Sequence, residues 1–396
     1  LTNLIAFEVK KFFKRKKNLI GIGMLIILTI IYVSINIFLE KQILDYDITS
    51  CTLEMESVHQ ALTSLKVEYD KETGNGVKVR MKKIIDDYES QVILLTQKKA
   101  AIEKDDWKEK LYAEVKLDKM TIKGINGGTV ISGEDRADIE ERIKKNEILL
   151  DKNIEPIIEN CSMNSYNFIR RAGSDIVPLI LIILLFLLSS DSISNEIEEG
   201  TFKLLLIQPI SRKKIMMSKI ISYTLICIVT VVTIFLSFFL VLGLVKGFGS
   251  MNYPTEYYTG SFSSIFKAGE SYEVSMIGMG SFILYMIPLY VLLIITIVAI
   301  AVLISTLIGN SAGAISVSVI IYTTFYIFNS KLRILDKMAE IIPFTYGNIP
   351  GILSGAMITE FGNKNITCIN GIIVLILTTI LCYFLSFIAF RKKDIL

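Results

Sequence analysis

Histidine occurs once in the 396 residues, at His59. One imidazole cannot make the paired ligands of a helical zinc-protease site, and its charge-rich surroundings read as surface rather than as the base of a nucleophilic triad. No G-x-x-x-x-G-K-[ST] phosphate loop is present, so the chain is not expected to bind and hydrolyse ATP by itself. The glycine-rich stretches "GNG" at 74–76 and "GINGG" at 124–128 lack the lysine and helix start of a phosphate cradle and read as turns. The long apolar runs contain almost no ionisable residues; Asp175 and Asp191 merely flank one of them. A carboxylate relay inside the membrane, the mark of proton-driven pumps, is therefore absent from the sequence pattern. No metal site, no cofactor and no catalytic residue is expected in this chain.

What is present is apolar. Hydrophobic residues make up 52% and charged residues 20%, with mean hydropathy +0.53. That exceeds the apolar share of ordinary soluble domains, which is about 45–50% even with glycine counted. Six runs are long enough for a bilayer core of ~30 Å: 19–39, 173–190, 220–245, 280–308, 312–328 and 369–390. A small polar joint at Gly309, Asn310 and Ser311 separates the fourth from the fifth. The first run has a long basic lead-in and no small-residue cleavage site, so it reads as a retained anchor and not a signal peptide. Leu1 fits a translated non-AUG start codon, which would suggest a bacterial origin; a trimmed sequence is the plain alternative. Polar residues inside the runs, such as Asn36, Ser237, Thr296, Ser316 and Thr323, are expected to join helices by hydrogen bonds.

Lys and Arg set the orientation. "KKFFKRKK" at 10–17, then Lys203, Arg212, Lys213, Lys214 and Lys219, then Arg391, Lys392 and Lys393 all fall on one side of six spans. That side should be cytoplasmic, with both termini on it, in the cell membrane.

The fold class expected is an all-α polytopic membrane protein with a helical extracytoplasmic insert between the first and second spans. Residues 1–40 make the cytoplasmic N-terminus and first span; 41–172 make an outer helical hairpin; 173–396 make a five-helix transmembrane domain. The insert carries three amphipathic stripes: Met55, Val58, Leu62, Leu65 and Tyr69; then Met81 to Ile102, continuing toward Trp107, Leu111 and Val115; then Ile139 to Ile157. Its charges nearly balance, so it is not built for nucleic acid. Cys51 and Cys161 stand on its two legs, where two free thiols are the leading reading and a disulfide stapling the base of the hairpin is the alternative. Cys227, Cys368 and Cys382 lie in or beside apolar runs and read as small hydrophobes.

The passage between the second and third runs, "NEIEEGTFKLLLIQPISRKKIMMSK" at 195–219, is the most informative stretch. Glu196, Glu198 and Glu199 suit the start of a short helix. Ile197, Phe202, Leu205 and Leu206 offer it an apolar side, and Pro209 ends it. Arg212, Lys213 and Lys214 can meet lipid headgroups. By physics alone a docking element and a plain surface connector are equally good readings.

The pattern E-x-E-x-G-T, an apolar patch, P-[IV]-S-R and a lysine before the next span resembles the signature of type 2 ATP-binding-cassette (ABC) transporter permeases. It is matched by Glu196, Glu198, Gly200, Thr201, Pro209, Ser211, Arg212 and Lys219. The resemblance covers 173–396 well, the first span by layout, and says little about the insert. It implies a coupling helix at about 192–215, formed by Glu196, Glu198, Glu199, Gly200, Thr201, Phe202, Pro209, Arg212 and Lys219, docking on a separate ATPase subunit. That partner would bind ATP and Mg. It also implies a second permease chain, identical or different, and a re-entrant element near Pro343 and Phe344. Family substrates include drugs, peptides, lipids, polysaccharides and ions. Two other readings remain: a mechanotransmitting ABC membrane subunit, which normally has four spans, and a non-transporting scaffold or sensor whose outer helices bind a partner.

Overall fold

A computed structural model describes residues 2–127, 133–201, 210–262, 274–332 and 336–392. The chain divides into two compact units, residues 1–33 with 163–396 and residues 34–162.

The first unit begins with α1 (Thr2–Lys14), an amphipathic helix that buries Glu8 and Phe12. One residue, Arg15, separates it from α2 (Lys16–Lys71), which contributes to both units. The Asn18 side chain donates to the Phe12 carbonyl at 3.0 Å, so a carbonyl left over at the end of α1 is satisfied. After the second unit come α6 (Ser165–Asp175) and α7 (Ile182–Ser189), separated by a π-turn at Val177–Leu181. Pro178 sits in that turn and explains it: it has no amide to donate, so the ladder locally widens. Then follow α8 (Ser194–Glu198), α9 (Arg212–Lys246), α10 (Met279–Leu307) and α11 (Ser311–Leu332). Two short helices, α12 (Ile349–Ser354) and α13 (Ala356–Phe361), precede α14 (Cys368–Lys392).

Among the described residues six helices are long and apolar enough to cross a membrane: Lys16–Lys71, Val177–Glu198, Arg212–Lys246, Met279–Leu307, Ser311–Phe328 and Cys368–Lys392. The second and fourth are the most enclosed. The others expose apolar sides, with Leu236, Val241 and Leu244 on α9 and Ile380, Leu381 and Phe384 on α14. Such surface is unfavourable in water and neutral in lipid.

α10 packs most extensively on α14. Thr296 bonds Thr379 at 2.9 Å and donates to the Leu375 carbonyl at 3.3 Å, so it joins helices as expected. Ser237 and Thr323 do not: each donates back to its own helix, to the Thr233 and Val319 carbonyls.

The end of the bundle away from α1 is irregular. β1 (Pro254–Tyr258) and β2 (Val274–Gly278) form an antiparallel ribbon with Pro254 opposite Gly278 and Tyr258 opposite Val274. Alternation there is too short to announce strands, and the sequence reading missed them. A 3₁₀ turn at Pro343–Gly347 leads into α12 and α13. Phe344 packs its ring on Phe186, Tyr322 and Phe325. Tyr346 is buried against α14, where a Cβ on Gly371 would come 2.5 Å from its ring. Its hydroxyl donates to the Glu340 carbonyl at 2.7 Å and accepts from Asn370 at 3.0 Å.

The second unit holds the later part of α2 with α3 (Asn75–Glu103), α4 (Trp107–Asn126) and α5 (Arg136–Asp151). Val58 and Leu62 of the first stripe are buried, as are Leu95 of the second and Ile139 of the third. The second stripe does not run on as one helix. Asp105 takes positive φ (55°), and Asp106 caps a new helix by accepting from the amides of Lys108 and Glu109. The helices therefore double back where the apolar spacing predicts a continuous rod. Arg142 grips Asp118 through two bonds of 2.8 and 2.7 Å. Cys51 and Cys161 are both buried and no disulfide joins them. The Cys51 thiol points at the Leu95 carbonyl, 3.7 Å away.

Candidate functional site

The passage after α7 is held between two sets of helices. α7 ends at Ser189, the chain turns through 190–193, and α8 makes a little over one turn. Gly200 closes it with φ of 69°. Its amide donates to the Ile197 carbonyl at 3.2 Å, the left-handed C-terminal stop that glycine adopts without a Cβ penalty. The glycine of the E-x-E-x-G-T pattern is thus required by the backbone.

One side of the passage is ionic. Lys219, on the second turn of α9, has a fully buried side chain. Its ammonium stands 2.7 Å from Glu196 Oε1 and 2.9 Å from Glu8 Oε1, and it donates to the Ser192 carbonyl at 3.3 Å. All three of its hydrogens have acceptors. Glu196 Oε1 also accepts from Lys11 at 2.6 Å. Next to this group, Asp191 pairs with Lys17 at 2.7 Å and with Arg15 at 3.4 Å. Arg15 also reaches the Tyr223 hydroxyl, and the Tyr223 ring meets Phe12 edge-on at 5.8 Å. Three anions (Glu8, Asp191, Glu196) therefore face four cations (Lys11, Arg15, Lys17, Lys219). Burying so many charges is tolerable only because each meets an opposite charge at hydrogen-bond distance.

The other side is held by hydrogen bonds without an ion pair. Ser305 Oγ, near the end of α10, accepts from the amides of Ile193 and Ser194 at 2.9 and 3.0 Å. Glu198 accepts from the Ser311 amide at 2.8 Å, at the first residue of α11, and the Ser311 hydroxyl donates to Asn195 Oδ1 at 3.3 Å. The polar joint between the fourth and fifth apolar runs is thus where the passage rests. The end of α14 reaches the same place, since Arg212 donates to the Arg391 carbonyl at 2.8 Å.

The expected site residues separate into groups. Glu198, Glu199 and Gly200 are exposed. Thr201 and Arg212 are half-buried. Glu196 and Lys219 face inward and are closed to solvent, so neither can touch another protein directly. Ile197 packs against the core and is not free to fill a partner's groove. Phe202 and Pro209, with Leu205 and Leu206, lie outside the described residues. Pro343 and Phe344 are at the opposite, irregular part of the fold and take no share in this cluster.

Glu8, Lys11, Ser305 and Ser311 were not picked out as site residues. A signal for Glu8 existed: it is the one acid in the basic N-terminal segment, and its neighbours leave it no obvious role except an internal pair. Among the described residues no cluster of His, Cys, Asp and Glu could hold a metal ion.

No curated protein sequence matches the chain. The family model described as ABC-2 family transporter protein matches residues 3–395. With six helices able to cross a membrane and a match over nearly its whole length, the chain belongs to the ABC-2 family of multi-pass, permease-type transporter proteins.

Proposed function

We propose that this chain is the membrane-spanning subunit of an exporter, moving its substrate outward with energy from ATP hydrolysed on a separate ABC ATPase. The observation that carries this reading is the passage at 191–201. It presents exposed Glu198, Glu199 and Gly200 while its underside is tied to α1 and α9 by charge and to α10 and α11 by hydrogen bonds. A push on the exposed side would reach four helices at once. The ATPase docks there, on the cytoplasmic face of the cell membrane, and both termini lie on that face. Glu199, Thr201 and Arg212 form the contact with Phe202 and Pro209; Glu196 and Lys219 act from beneath. ATP and Mg are bound by the partner, and this chain contributes no catalytic residue and no cofactor.

Two permease chains complete the pore, with the exposed apolar sides of α9 and α14 shared between lipid and the second chain. The helical unit of residues 34–162 lies on the outer side. Its stripes pack on one another, so its removal should leave insertion intact. Six spans favour a permease over the four-span mechanotransmitting subunits.

The test is purification of the complex from native membranes. Glu199→Arg should leave the chain inserted and strip the ATPase from it. Retention of the ATPase with unchanged turnover counts against docking at this passage.

A further inference from the structure

The two sides of the passage are unequal. On the α1 and α9 side the short polar contacts are charge-assisted: Lys219 to Glu8 and Glu196, and Lys11 to Glu196, at 2.6–2.9 Å. On the α10 and α11 side the Ser305 contacts are neutral amide–hydroxyl bonds, and the single charged contact, Glu198 to Ser311, is exposed. Charge-assisted bonds are roughly twice as strong as neutral ones, and burial removes the competing water. The ionic side is also unusual as a stabilising device. Glu196 Oε2 and Asp191 Oδ1 are buried with no hydrogen-bond partner. A hydrophobic packing of the same volume would hold the helices as well without stranding polar atoms, so stability alone does not account for these charges.

We infer that Lys219 is a positioning residue that fuses α1, the passage and the first turns of α9 into one rigid lever, and that the Ser305–Ser311 side is the contact that slips when the lever moves. The inference rests on the docking reading above. α1 is then part of the moving machinery and not a passive float on the membrane. Its Glu8 reaches across 211 positions of sequence to the third span, and Phe12 packs on Tyr223 beside it. A force applied at Glu199 passes through Glu196 to Lys219, and from there to α1 and α9 together. Interfaces of this kind switch between discrete arrangements and do not deform continuously, and the weaker side is where the switch occurs.

The experiment uses the full chain with its ATPase, carrying spin-label pairs at exposed positions: Lys10 with Lys213 across the ionic side, and Lys10 with Ala312 across the neutral side. The Lys10–Lys213 distance should be narrow and unchanged between the nucleotide-free and the ATP-vanadate-trapped complex. The Lys10–Ala312 distance should shift. A shift in the first pair, or no shift in either, overturns the lever. The variant is Glu8→Leu with Lys219→Met, which removes opposite charges together and leaves Glu196 to Lys11, so the bundle keeps its fold. In it the Lys10–Lys213 distribution should broaden; an unbroadened distribution overturns the role of Lys219. Should no ATPase accompany the native chain, the docking reading fails, yet the broadening in the ATPase-free chain still decides whether Lys219 fixes α1.

Discussion

Lys219 Nζ lies 2.7 Å from Glu196 Oε1, with both side chains sealed from solvent. Glu8 occupies a second side of the same ammonium at 2.9 Å. Lys219→Met alone removes the cation and leaves Glu8 buried without an ion partner, which should cost about 3–5 kcal/mol. Thermal unfolding of the purified chain in detergent measures this. Glu8→Leu added to Lys219→Met should recover most of the loss, because the stranded carboxylate goes with its partner. Equal destabilisation in the single and double variants would show that the cost comes from packing and not from charge.

Ser305→Ala removes one oxygen and orphans two amides, those of Ile193 and Ser194. Each buried donor left unsatisfied costs about 1–3 kcal/mol. The variant should lower the unfolding midpoint clearly, although only a hydroxyl has been deleted. A change within the error of the native midpoint would mean that the passage finds other acceptors.

Gly200 and Gly371 should respond differently to alanine. A Cβ at Gly200 meets nothing within 4 Å, so Gly200→Ala carries only the backbone cost of φ at 69°, about 1 kcal/mol. Gly371→Ala puts a methyl 2.5 Å from the Tyr346 ring and must displace that ring. Tyr346 fluorescence or labelling accessibility should change in the second variant and not in the first. Indistinguishable behaviour would contradict the close approach.

Cys51 and Cys161 should behave as separate thiols. Mobility on non-reducing electrophoresis should match that of Cys51→Ser, and unfolding should release both thiols without a reductant. A band that runs faster only in the absence of reductant would show the stapled hairpin instead.

Apolar length was legible. All six runs correspond to helices able to cross a membrane, because a stretch of that composition has only one stable partner, the bilayer core. The stripes of the second unit were legible in part: Val58, Leu62, Leu95 and Ile139 are buried where the periodicity puts them. The reversal at Asp105–Asp106 was not, because the apolar spacing continues across it and the capping aspartate is one polar residue among many. The charge cluster was the least visible. Lys219 and Glu196 both stand in the recognised pattern, but their directions depend on Glu8, 211 residues from Lys219, and no local spacing announces such a pair. Reading the pattern as a surface placed both outside; the fold turns them in.

The close fit of Tyr346 on Gly371 also bears on how the chain is made. Tyr346 leaves the ribosome before α14 does, yet its ring is seated against α14 and its hydroxyl accepts from Asn370 at the head of that helix. The Tyr346 ring therefore lacks its Gly371 seat until the last span is inserted, whereas Phe344 beside it already rests on Phe186, Tyr322 and Phe325. Until then one face of the Tyr346 ring lacks its cover, so completion of this end is a late step in assembly of the bundle.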